Sequence, residues 1–89
     1  MDANSVEQMF ADYEALLPKI ANIRDYRTRR DLLNMARSCE NLREDISRES
    51  VVCRRLQRPT VKYLEYLDQF RCNLNTLSEY TTLALLMAH

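Results

Sequence analysis

There is no glycine anywhere in this 89-residue chain, no tryptophan, and only one histidine, at position 89. Each absence excludes a class of chemistry. Without glycine there is no phosphate-cradling loop of the P-loop or dinucleotide-binding kind. With its lone histidine at the last position, a Ser-His or Cys-His nucleophile pair lacks a base, and no Cys/His set has zinc spacing. The Glu-x-x-His sets of di-iron bundles are missing as well. Carboxylate neighbours such as Glu44/Asp45 and Asp12/Glu14 fall on helix faces expected to be exposed, where no shared pocket tunes them. No catalytic, cofactor-binding or metal-binding residues are assigned, and the chain is not expected to be an enzyme.

Further absences bound the setting. No apolar run reaches the roughly 18 residues of a membrane span, and Met1–Ser5 lacks the basic and apolar regions of a signal peptide. The three cysteines form no Cys-x-x-Cys pair. Cys39 and Cys53, both on one expected helix, stand about 21 Å apart at the usual helical rise, too far for a disulfide. A reduced, cytoplasmic or nuclear protein is the expectation. Acids and bases balance at 13 each, so no global field draws the chain to nucleic acid or anionic lipid.

What is present is a set of three apolar stripes stepping three then four residues. Val6, Met9, Tyr13, Leu16, Ile20 and Ile23 form the first. Leu32, Met35, Cys39, Leu42, Ile46, Cys53 and Leu56 form the second, and Tyr63, Leu67, Phe70, Leu74, Leu77 and Ala84 the third. That spacing puts a seam on one side of a helix. The chain therefore reads as all-α: a three-helix bundle, or a long antiparallel hairpin with a shorter N-terminal helix, with coiled-coil-like packing. It is taken as one domain with helices at about 5–23, 29–57 and 60–88.

Local signals set those bounds. Ser5 to Gln8 fits a capping box, and Pro18 is expected to kink or break the first helix. Thr28 with Asp31 is read as the cap of the second helix. Pro59 disfavours helix at Arg58, and Thr60 can cap a third helix, which favours a hairpin over one long kinked helix. Arg37, Glu40, Glu44 and Arg48 are expected to alternate as ion pairs on a solvated face. Glu49, Thr60 and Thr81 stand out as polar residues at seam positions. Val61, Leu64 and Tyr66 broaden the apolar face of helix 3, which should make it the most buried.

Two features point to a partner. Arg24, Arg27, Arg29 and Arg30 cluster at the start of helix 2, where cations oppose the helix dipole, so something acidic is expected to meet them. Leu83–Ala88 is apolar on every side of a helix, and exposed apolar patches mark interaction sites. Leu83, Leu85, Leu86 and Met87, with the four arginines, are the candidate partner-binding residues. The function expected is a protein–protein interaction module: a small assembly, adaptor or scaffold subunit, pairing with itself or with a helical partner. Two alternatives remain open. One is a nucleic-acid-associated regulator binding through Arg27–Arg30; nucleic acid is the less favoured partner, because no basic stripe with interleaved aromatics is present. The other is a helical chaperone or inhibitor that masks a partner helix.

Overall fold

A computed structural model describes residues 3–87 as three helices: α1 over Ala3–Ala21, α2 over Tyr26–Leu56 and α3 over Val61–Met87. Among the described residues there is no strand. The all-α reading holds. Helices α2 and α3 fold back on each other as a hairpin, and the shorter α1 lies against both, in a molecule of 51 × 20 × 16 Å.

The hairpin turn forms because α2 runs into Pro59, which cannot continue a helix ladder. Gln57 closes α2 in the left-handed region at φ 57°. Its N–H donates to the Arg54 carbonyl at 3.3 Å, and Arg58 N–H donates to Cys53 at 3.1 Å. This is the Schellman arrangement, built on glutamine in a chain without glycine. Thr60 then caps α3, its hydroxyl accepting from Tyr63 N–H at 3.1 Å while donating to Glu49 at 2.9 Å. Two of the three polar seam residues thus lock the register of the turn.

Several local expectations need correcting. Ser5 lies inside α1, which begins at Ala3, so the expected capping box does not start it. Pro18 does not break α1; the helix continues to Ala21, held by Leu16 and Ile20 in the core. The cap of α2 is Asp25 rather than Thr28. Its carboxylate accepts from both the Thr28 N–H, at 2.9 Å, and the Thr28 hydroxyl, at 2.6 Å. The alternating pairs on α2 also resolve differently. Glu40 pairs with Arg43 and Arg48 with Asp45, because those partners are one turn away on the same flank. Arg43 also bridges to Glu14 of α1 at 2.6 Å and lies over the Phe10 and Tyr13 rings. Ala88, the last residue of the apolar C-terminal run, lies outside the described residues.

The core forms around Phe70, fully buried with Phe10 and Tyr13 edge-on to its ring. Leu67, Leu74, Leu77 and Thr81 extend it along α3; Leu32, Ala36, Cys39 and Ile46 come from α2, and Tyr13, Leu16 and Ile20 from α1. The expected second seam fades at its end. Cys53 is half-buried and Leu56 is exposed, where the chain turns at Gln57. Of the three residues expected to broaden the apolar face of α3, Tyr66 packs against the core, whereas Val61 and Leu64 are exposed.

Candidate functional site

The opposite end of the bundle is built by the short link between α1 and α2. After Ala21, Ile23 turns inward and is buried, its N–H bonded to the Ile20 carbonyl at 3.1 Å. The Ile23 carbonyl is left at the end of α1. Arg29 supplies its donor, reaching back with Nη1 at 2.7 Å. A cation there faces the negative end of the α1 dipole. One member of the arginine cluster that opposes the dipole of α2, Arg29, therefore has a structural partner at the end of α1. Arg29 and Arg30 both lie over the exposed Tyr26 ring, at 5.7 and 5.8 Å. Arg24 and Arg27 are exposed. Asp25 is held below the usual carboxylate range, first by the hydrogen bonds from Thr28 and then by the charges of Arg27 and Arg29. It is a fixed negative charge at this end.

Beside this link, α2 and α3 enclose a groove of about 580 Å³. Leu32 and Met35 of α2 form one wall, and Tyr80, Leu83, Ala84 and Met87 of α3 the other; Ile23, Thr28, Asp25 and Asp31 lie at its head. Tyr80 is 55% exposed, Leu83 50% and Met87 81%. Such large apolar side chains on one helix end, left open to solvent, are costly unless covered.

The structure divides the expected anchors. Leu83 and Met87 line the groove, Leu85 packs against the core, and Leu86 is exposed but outside the groove. None of the four turn arginines lines it; the charged residues that do are Asp25 and Asp31. Sequence reasoning missed Tyr80, Met35 and the two aspartates. A seven-residue spacing could have found Tyr80, since Tyr66, Asn73, Tyr80 and Met87 recur every two turns.

A smaller depression, of about 150 Å³, continues the same α2–α3 face toward the middle of the molecule, lined by Met35, Ser38, Asn73 and Thr76. Both lie away from α1, which packs on another side of the hairpin through Tyr13–Ala36, Glu14–Arg43 and Phe10–Phe70.

The chain matches no protein-family model, no curated protein and no solved structure. No helix among the described residues is long and apolar enough to cross a membrane.

Proposed function

We propose that the chain is a non-catalytic protein–protein interaction module, a small helical assembly or adaptor subunit that works as a homo-oligomer or beside a helical partner. The observation that carries this is the open groove: Tyr80, Leu83 and Met87 expose apolar surface on one wall, opposite Leu32 and Met35. Ridges of apolar side chains from a second helix fit such a groove, as helices do when they pack in bundles. A chain this small gains only about 3–5 kcal/mol from one core, and covering the groove would add to it.

The two aspartates at the head of the groove favour an occupant carrying a cation there. The arginines beside it favour the interaction reading over nucleic acid. Arg29 is committed to the Ile23 carbonyl, which leaves Arg24, Arg27 and Arg30, the last over the Tyr26 ring, as a short exposed cluster rather than a basic stripe.

The test is the double variant Leu83→Glu/Met87→Glu. Both side chains are at least half exposed, so the helical circular dichroism and the melting midpoint should stay close to wild type while association is lost. Association is read as solution mass, alone and with any co-purifying chain. Unfolding of the double variant, or association that persists in it, would show that these side chains belong to the core or to nothing, and the reading would fall.

A further inference from the structure

The hairpin turn, at the end of the molecule away from the groove, has a surface of its own. Ile46 and Leu67 are the last buried residues of α2 and α3 toward the turn, and none of residues 47–66 between them is buried. The hairpin therefore runs on past the core. Over residues 50–64 the chain carries four cations, Arg54, Arg55, Arg58 and Lys62, and no acid. All four are exposed and make no ion pair among the described residues. Large apolar side chains stand between them: Leu56 is 49% exposed, Val61 73% and Leu64 48%, with Val51 and Val52 open as well. A chain without net charge thus keeps a local positive charge at one end.

Depth and distribution name the occupant. Val51 lies five residues before the end of α2, and Leu64 three after the start of α3. At the usual helical rise these apolar side chains fill a layer about 8 Å deep. Amphipathic helices at a bilayer surface bury their apolar side chains to about 5–10 Å. The exposed residues also go round the end. Val52 and Leu56 are one turn apart on one flank of α2, whereas Arg54 and Arg58 line a depression on another, beside Val6 and Tyr63. A partner helix covers one face; a lipid interface surrounds an end on every side. Three acids border the layer: Glu49, which accepts from the Thr60 hydroxyl, Glu65 on α3, and Glu7 of α1 in the same depression. They leave the cations in excess, and Glu49 and Glu65 lie farther from the turn than all four. The other end of the bundle is different: Asp25 and Asp31 stand among its arginines, and Arg29 is held by the Ile23 carbonyl.

We propose that the hairpin end docks on an anionic lipid surface. Leu56 and Val61 enter the boundary of the acyl chains, and Arg54, Arg55, Arg58 and Lys62 meet the headgroup phosphates. Arginine suits that contact, since its guanidinium pairs with two phosphate oxygens at once. Each cation close to an anionic surface strengthens attachment about fivefold. The attachment is to the surface, without a spanning helix among the described residues. It goes beyond the interaction reading, because it uses the other end of the bundle and leaves the groove open to a partner.

The experiment is co-sedimentation of the whole chain with sucrose-loaded vesicles, of phosphatidylcholine alone or with one-third phosphatidylserine. Wild type should sediment with the anionic vesicles and not the neutral ones, and leave them as salt rises from about 0.1 to 0.5 M. Arg55→Ser/Arg58→Ser should weaken binding roughly 30-fold, and Leu56→Ser/Val61→Ser should weaken it too. The charge-matched control Lys19→Ser/Arg37→Ser, at exposed positions away from the turn, should bind as wild type does. All these side chains are exposed, so helical circular dichroism should not change. Wild type that stays in solution with anionic vesicles overturns the proposal. So does an equal loss in the control, which would make net charge the cause, or full binding by Leu56→Ser/Val61→Ser, which would remove the apolar contact. If the chain ignores vesicles but is retained on poly-glutamate through Arg55 and Arg58, the end takes an acidic protein and the lipid proposal falls. The groove test is read without lipid, so its outcome is separate from this one.

Discussion

Among the three polar residues in the apolar register, burial treats one unlike the others. Glu49 and Thr60 satisfy each other at the hairpin turn. Thr81 is 1% exposed, and its hydroxyl has no hydrogen-bond partner among the described residues. Leaving a hydroxyl buried and unpaired costs about 1–3 kcal/mol. Valine has the same shape and a similar helix propensity, so Thr81→Val should stabilise the fold by about 1 kcal/mol. Urea unfolding would show this as a higher midpoint with an unchanged slope. A lower midpoint would mean the hydroxyl is bonded, for instance back to its own helix, and that its loss matters more than its desolvation. Cys39, fully buried beside this core, has its thiol pushed up by burial and then by the neighbouring Glu40 charge. It behaves as a small hydrophobe, as its place in the apolar stripe implied.

Single helices show where the sequence is legible and where it is not. The three stripes mark the helices because burial needs one face, and a face leaves a period. The ends of the helices depend on one or two polar atoms, and neighbouring residues compete for that role. Asp25 and Thr28 both suit a cap; Asp25 takes it because α2 begins at Tyr26, outside the apolar stripe. The role of Arg29 was hidden for another reason. Its partner is a carbonyl at the end of α1, and only the packing of the two helices brings them together. The groove was half legible. Leu83 and Met87 belong to an apolar run that cannot all be buried, but Tyr80 and Asp31 join it only because α1 covers the other side of the hairpin. The turn after α2 offers a test at this scale. Gln57 carries a side chain in the left-handed region, where a Cβ costs about 1–2 kcal/mol. Gln57→Gly removes that strain but adds chain entropy to the unfolded state. A net gain of about 0.5–1 kcal/mol is expected in thermal or urea unfolding, with no change in association, since Gln57 is outside the groove. No gain would mean the glutamine side chain stabilises the turn.

At the scale of the whole molecule, α1 is joined to the hairpin by a small set of contacts, and pH acts on one of them. Tyr13 of α1 is buried and donates its hydroxyl to the Ala36 carbonyl of α2 at 3.2 Å. Burial first, and then the Glu40 carboxylate, push its pKa up to about 12. The folded state therefore holds this proton more tightly than the unfolded chain, where a tyrosine titrates near 10. Its contribution is complete below pH 10 and lost as pH rises toward 12, because in that window the unfolded state gives up the proton first. Two units correspond to roughly 3 kcal/mol as an upper bound. Tyr63, also raised by burial, acts with the same sign. The neighbouring cation cannot produce the same loss: Arg43 has its pKa raised, chiefly by its hydrogen bond to Glu14, and stays charged throughout. Urea midpoints measured from pH 8 to 12 should fall steeply above pH 10 for wild type. Tyr13→Phe should start lower, having lost the bond to Ala36, and fall less steeply. Parallel curves for the two proteins would show that the alkaline loss arises elsewhere and that Tyr13 does not couple α1 to the proton.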